Sequence, residues 1–449
     1  MKHTDEQQFQ KMTRTPIPKL TMAISIPAII SILITMFYNM ADTWFVSQIN
    51  TAAVGAVGVA FSITTFTNAL GYLFGMGSGT YIGQLLGARN HEEANRIGST
   101  AFITSIALCS IIAAAGIAGI RPLMRFLGSS ETILPYAVDY GFYILLGLPA
   151  MCSSLVLSTI LRCEGKTNLS MLGIGIGGIL NMFLDPLFIF ALNMGVSGAA
   201  LATLISQIIS WIVLFCFYLT GKSAVRLSLR WFTPKPETYC HILVTGLPSL
   251  CRHLIMTVAN IALNTAAGFY GGDTTIAAMS IVAKVIGFSQ SISNGIGQGA
   301  QTIFSYNKGA GLFDRVKKTF SFVLSFNTGL MIIEAIAIGI FAPSIMALFR
   351  ADDAEVIRIG AKALRLQCLS LVLMPWNTLG NQLMQSVGES GKSTFLASLR
   401  QGIYYIPIIF LLPMVMQADG ILYAQPAADV LTAITVAPFL VWYFKKKLP

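Results

Sequence analysis

Long apolar stretches alternate with short polar connections along nearly the whole chain. A helix needs about 20 apolar residues to cross a hydrocarbon core about 30 Å thick. Twelve stretches reach that length, and they begin near Ile17, Ala52, Ile97, Pro135, Asn168, Gly195, Ile242, Thr275, Thr319, Val356, Phe395 and Gly420. The pattern therefore predicts an all-α polytopic membrane protein with twelve transmembrane helices and little room for a soluble catalytic domain.

The second half of the chain repeats the first. Three well separated pairs share an offset of 222 positions: Gly75 with Gly297, Thr80 with Thr302, and Gly198 with Gly420. An even number of spans in each half gives both halves the same orientation, so an axis along the membrane normal relates them. We predict two homologous six-helix lobes, with an N-lobe at 1–221, a cytoplasmic linker at 222–240 and a C-lobe at 241–449.

Composition and charge agree with a membrane location. Hydrophobic residues make up 55% of the chain, charged residues only 11%, and the mean hydropathy is +0.70. The net charge of +10 does not indicate nucleic-acid binding, because the basic residues lie in alternate connections instead of on one clustered face. The positive-inside rule then predicts a multi-pass protein of the cell membrane with both termini in the cytoplasm and basic loops that contact membrane lipids.

Ionisable side chains inside spans are the first candidates for function, since each is costly to insert. Asp42 follows Asn39 by three residues, and Asp185 follows Asn181 by four, so each acid shares a helix face with an amide. Two carboxylates in one dehydrated cavity cannot both ionise at low cost, which suits a proton carrier. A monovalent cation is the alternative occupant. A purely structural role, with Pro186 bending the helix beside Asp185, is the other interpretation.

The second half offers fewer charged candidates inside spans. Lys284 and Glu334 lie in mid-span, where they pair with each other or bind a charged substrate. Together with Asp429 and Gln298, they form the predicted substrate-contacting set. Arg400 lies near the end of a predicted span that starts at Phe395 and is a weaker candidate.

Enzyme motifs are missing from the sequence. It contains no HExxH and no GxSxG. The segment Gly388–Thr394 resembles a phosphate-binding loop, but Ser386 stands where that motif requires glycine, and a membrane span precedes it. We therefore expect neither an enzyme nor a cofactor.

Several stretches resemble the multidrug and toxic compound extrusion (MATE) family, with a pattern closest to its bacterial DinF-like members. They are Tyr38–Val46, Gly83–Arg89, Asn181–Ile189, Gly195–Thr203, Gln401–Ile403 and Ala424–Asp429. The resemblance implies cation-coupled export through two six-helix lobes that form a V-shaped central cavity.

The resemblance also implies a cation site in the N-lobe. Its residues here are Asp42, Asn181, Asp185 and Thr203, to which we add the neighbouring Asn39 and Tyr38. The occupant is H⁺, or alternatively Na⁺ held at Asp42, Asn181, Asp185 and Thr203, and no other metal site is expected. Sodium-coupled relatives of the NorM type carry a further acidic pair on spans 7 and 10, and this sequence has no acid at either place.

The resulting functional prediction is a secondary active multidrug efflux antiporter working by alternating access. Its partners would be small-molecule drugs or toxic metabolites, amphipathic and cationic, exchanged for H⁺ or Na⁺ by a monomer. The alternative is a flippase for a lipid-linked saccharide from the same wider superfamily. Such a protein should have a strongly basic cavity, whereas only Lys284 and Arg252 are basic residues inside the predicted spans.

Overall fold

A computed structural model describes residues 2–350 and 353–446, and the regular structure in those ranges is helical, without strands. The helices are α1 (Lys2–Arg14), α2 (Ile17–Ser47), α3 (Thr51–Gly87), α4 (His91–Ala118), α5 (Ile120–Phe126), α6 (Leu134–Cys163), α7 (Thr167–Pro186), α8 (Gly195–Leu219), α9 (Pro236–Gly309), α10 (Phe313–Phe349), α11 (Ala354–Ser386), α12 (Ser390–Ser398), α13 (Tyr405–Met416) and α14 (Ala418–Lys446). Two π-helical segments, Leu187–Ala191 and Leu399–Tyr404, and one 3₁₀ turn, Leu229–Trp231, complete the chain.

Ten helical segments of the described chain are long and apolar enough to cross a membrane. One of them, α9, has 74 residues and bends at Gly272, whose φ of 63° is available mainly to glycine, so α9 contains two predicted spans. The 33-residue α11 falls outside the ten, and its first turns carry the charged residues Glu355, Arg358, Lys362 and Arg365. Each predicted span thus has a helical counterpart, and the all-α polytopic prediction is confirmed.

The chain separates into two compact units. Unit 1 consists of Met1–Thr13 and Ile30–Leu250, and unit 2 consists of Arg14–Ile29 and Cys251–Pro449. The division cuts α2 two residues after Pro27 and α9 two residues after Pro248, and these two prolines are 221 positions apart. The first part of α2 therefore belongs to unit 2, and the first part of α9 belongs to unit 1. The lobe limits at 221 and 241 remain a prediction.

Unit 1 is built around α6, which packs against α3, α4 and α8. Glycines let the backbones approach closely. A Cβ at Gly75 of α3 would lie 3.3 Å from the carbonyl oxygen of Leu155 in α6, and a Cβ at Gly246 of α9 would lie 2.0 Å from that of Leu73 in α3. Only glycine fits at the second position without a backbone shift.

Hydrogen bonds hold the segment of the predicted linker that precedes α9 against unit 1. The carboxylate of Glu164, in the turn after α6, accepts hydrogen bonds from Ser223 Oγ at 2.6 Å, Ala224 N at 2.9 Å and Val225 N at 3.2 Å. Arg226 N donates to Asn95 Oδ1 on α4 at 2.7 Å. Burial raises the pKa of the Glu164 carboxyl, although Lys166 and these hydrogen bonds oppose the shift.

In unit 2, α11 packs against α10 and α14, and α14 also packs against α13. The unit includes the first part of α2. Ser25 Oγ donates to the carbonyl oxygen of Ile296 at 3.4 Å, and a Cβ at Gly299 would lie 2.3 Å from Ser25 Oγ. Gly77 of unit 1, which precedes Gly299 by 222 positions, makes a similar close contact, since a Cβ there would lie 2.1 Å from the carbonyl oxygen of Ile242 in α9.

Candidate cation-binding site

Three helices of unit 1 bring the candidate residues together. Asp42 lies on α2, Asn181 and Asp185 on α7, and Thr203 on α8. Asp185 is fully buried, and Asp42 is 9% exposed. A Cβ at Gly177 of α7 would lie 3.0 Å from the carbonyl oxygen of Ser206, so α7 and α8 approach closely beside the site.

Hydrogen bonds connect the residues of α7 and α8. Asn181 Nδ2 donates to Asp185 Oδ1 at 3.2 Å and to Thr203 Oγ1 at 3.3 Å. Asn181 and Asp185 therefore share one helix face, as their spacing of four residues requires. Beyond Asp185 the helix changes at Pro186 into the π-helical segment Leu187–Ala191. Short π-helical segments occur frequently at functional sites.

Tyr140 of α6 joins the site, although the sequence did not mark it. Its hydroxyl donates to Asp42 Oδ2 at 3.3 Å, and its side chain is 4% exposed. It also interacts electrostatically with Asp185, as does Asp42. Tyr140 is an aromatic residue in an apolar helix, and no spacing or motif separates it from the core tyrosines.

Acceptor oxygens in this site outnumber donors. Asp42 Oδ1, Asn181 Oδ1 and Asp185 Oδ2 are buried and have no hydrogen-bond partner among the described residues. Neither acid forms an ion pair with a basic side chain in that part of the chain. Leaving such oxygens unpaired in a buried place is unfavourable. These three oxygens suit a proton or a small cation, which would supply the missing positive charge.

The two other predicted members lie at the edge of the site. The Asn39 side chain is exposed and donates to the carbonyl oxygen of Thr35 on its own helix at 2.8 Å. Tyr38 is partly buried and interacts with the side chains of Gln207 and Asn39. No hydrogen bond from Asn39 to Asp42 occurs among the described contacts, so Asn39 is not brought to the acid as its spacing suggested.

The four candidates of the second half all lie in unit 2 but have different surroundings. Lys284 is exposed, and Glu334 is partly buried with its side chain near Ser289. Within residues 2–350 and 353–446, no ion pair joins Lys284 to Glu334. The Oε1 atom of Gln298 is buried without a described partner. Asp429 is fully buried and forms an ion pair with Arg400, whose Nε lies 2.6 Å from Asp429 Oδ1.

Comparison with known proteins identifies the family. A sequence profile described as MatE matches residues 27–187 and 248–411, which is more than half of the chain. The chain belongs to the MATE family. It is accordingly a membrane transporter and not an enzyme, as the sequence predicted.

Individual MATE proteins resemble this chain along almost its whole length. The multidrug export protein MepA of Staphylococcus aureus (strain MRSA252) is 25% identical over 448 residues, which cover 99% of this chain and 97% of that protein. A structure of a multidrug resistance MATE family transporter of the MOP superfamily in the outward-facing conformation superposes with a TM-score of 0.90, 26% identity and 96% coverage of both chains. A MATE structure in the bent conformation gives a TM-score of 0.91, 26% identity and 98% coverage of both chains.

Proposed function

We propose that this MATE protein exports amphipathic, cationic small molecules in exchange for protons, and that Asp42 and Asp185 carry the exchanged proton. The observation that carries the proposal is the set of three buried acceptor oxygens on Asp42, Asn181 and Asp185 without a described partner. A proton bound by either carboxylate would remove one negative charge and provide a donor. The multidrug export relative supports a drug-like substrate class.

The site residues have separate tasks in this proposal. Asp185 and Asp42 take up and release the proton, because they are the titratable acids of the site. Asn181 and Thr203 hold Asp185 through the hydrogen bonds at 3.2 and 3.3 Å. Tyr140 orients Asp42 through its hydroxyl. Proton uptake from outside accompanies substrate release, and proton loss to the cytoplasm accompanies substrate binding, with both termini on the cytoplasmic side.

Na⁺ is the alternative occupant, since it also binds carboxylate and amide oxygens. It would use the same free oxygens, with Thr203 as a further ligand. A proton is favoured because Asn181 and Tyr140 already donate hydrogen bonds to the carboxylates, so few oxygens remain to surround a metal ion.

Purified protein in liposomes, with ethidium as the transported cation, tests the proposal. A pH gradient, acidic outside, should drive export without Na⁺, and a Na⁺ gradient at equal pH should not. Export that depends on the Na⁺ gradient alone would exclude the proton and assign the site to Na⁺. No export under either gradient would exclude coupled transport of this substrate class.

A further inference from the structure

The buried acid of unit 2 already has a cation. Arg400 Nε lies 2.6 Å from Asp429 Oδ1, and Arg400 Nη2 lies 3.3 Å from Oδ2, so the guanidinium donates a hydrogen bond to each carboxylate oxygen. The Asp429 side chain is fully buried, whereas that of Arg400 is 15% exposed. Of the two partners, Arg400 is therefore the one with a route away from the pair.

The pair lies near the middle of its spans. Arg400 follows the start of the segment Ser390–Met416 by ten residues, and Asp429 follows the start of α14 by eleven, which places both about 15 Å along their helices. An acid at that depth is expensive and marks a functional position by default. Arg400 also belongs to the π-helical segment Leu399–Tyr404, a type of irregularity that is frequent at functional sites.

Two amide side chains donate hydrogen bonds to Asp429. Asn377 of α11 is 5% exposed, and its Nδ2 donates to the backbone oxygen of Asp429 at 3.2 Å. The Oδ1 atom of the same amide is buried and has no described partner. Gln425 Nε2 donates to Asp429 Oδ2 at 3.2 Å. The site thus has a carboxylate and a free amide oxygen, with one side chain supplying the positive charge.

We propose that Asp429 is the acceptor of a second site for organic cations, and that Arg400 is a built-in cation which the ligand displaces. The ligand would carry an ammonium, amidinium or guanidinium group that donates to Asp429 and to Asn377 Oδ1. One positive charge replaces another, so the acid never stays unpaired in the membrane. The inference rests on the proposed export of cationic molecules and deepens it by naming a substrate-binding group outside the proton site.

Binding of ethidium to the full-length protein in lipid nanodiscs tests the inference. Arg400→Gln removes the competing cation and should tighten ethidium binding about tenfold. Asp429→Asn removes the acceptor and should weaken it about tenfold or more. The neutral double variant Arg400→Gln/Asp429→Asn, which leaves no unpaired charge, should bind as weakly as Asp429→Asn and controls for folding.

A matched control uses the exposed ion pair of Lys362 and Asp419, whose Nζ and Oδ1 atoms lie 2.7 Å apart. The double change Lys362→Gln/Asp419→Asn should leave ethidium affinity within twofold of the wild type. Equal losses in Arg400→Gln and Asp429→Asn would overturn the inference and make the pair structural. So would an unchanged affinity in both. Wild-type protein that neither binds nor exports ethidium would overturn the proposed function itself, whereas normal wild-type export with an unresponsive Arg400→Gln would overturn only this second site.

Discussion

The buried acids of the two units differ in how their charge is compensated. Asp42 and Asp185 of unit 1 receive hydrogen bonds only from neutral groups, Tyr140 and Asn181, among the described residues. Asp429 of unit 2 forms an ion pair with Arg400 and accepts two hydrogen bonds from it. An acid whose partners are all neutral lacks a matching positive charge, whereas an acid paired with arginine has one. The two units thus differ in what balances a buried carboxylate: Asp429 has a guanidinium, whereas Asp42 and Asp185 have no basic partner among the described residues.

The predicted repeat places different side chains at corresponding positions of the two units. At the offset of 222, Thr203 of α8 corresponds to Gln425 of α14, and Gln207 corresponds to Asp429. An amide in one unit therefore stands where the other has a carboxylate.

The largest expected effect comes from making the acids of unit 1 unable to titrate. Asp42→Asn and Asp185→Asn should each reduce pH-driven ethidium export to the level of empty liposomes, because the amide keeps the shape but binds no proton. Initial rates in proteoliposomes measure the effect. Export at the wild-type rate in both variants would remove the coupling role from unit 1. Asp419→Asn, at an exposed position, is the control and should export normally.

For thermal stability, we expect Arg400→Gln to have a larger effect than Asp42→Asn. Arg400→Gln leaves Asp429 buried without its cation, and we expect a loss of about 3–5 kcal/mol. Asp42→Asn breaks no ion pair, so its free energy of unfolding should stay within about 1 kcal/mol of the wild type. Unfolding transitions in one detergent, followed by intrinsic fluorescence, compare the two. A destabilisation by Asp42→Asn as large as that by Arg400→Gln would contradict the contrast between the units.

The fold was predictable from sequence because hydropathy and length alone define spanning helices. Two elements required the structure. The predicted starts at Ile242 and Thr275 fall on either side of Gly272, the single non-helical residue at which α9 bends. The spanning segment that contains Arg400 is Ser390–Met416, which begins before the predicted start near Phe395, so Arg400 lies in mid-span and not at a span end.

The candidate cation site was only partly predictable. Asp42, Asn181 and Asp185 were visible as polar residues within apolar stretches at helical spacing. Tyr140 was not, since a tyrosine in an apolar helix is usual in a core and its partner lies 98 positions away. The pairing of Asp429 with Arg400 also depends on how two helices pack, which periodicity within one helix does not contain.

A smaller effect is expected from removing the Tyr140 hydroxyl. Tyr140→Phe deletes the hydrogen bond to Asp42 Oδ2 and leaves a second oxygen of that carboxylate without a partner. Net hydrogen-bond contributions of about 0.5–1.5 kcal/mol predict a rate change of about two- to tenfold. The pH dependence of export should move as well, because the hydroxyl stabilises the ionised form of Asp42. A slower rate with an unmoved pH profile would make Tyr140 a packing residue only.

The smallest effect on export should come from Glu164, a third buried acid of unit 1, which has neutral donors and the nearby Lys166. Glu164→Ala should raise hydrogen exchange at the amides of Ala224 and Val225 about tenfold, since both lose an acceptor, and should change export less than twofold. Burial raises the pKa of Glu164, so the protonated acid stabilises the linker in its bound position. Hydrogen exchange at these amides, corrected for its intrinsic pH dependence, should therefore increase as pH rises above the ordinary carboxyl range. Glu164→Gln, which mimics the neutral acid, should flatten that dependence. A pH dependence retained in the Gln variant would show that another group controls the linker.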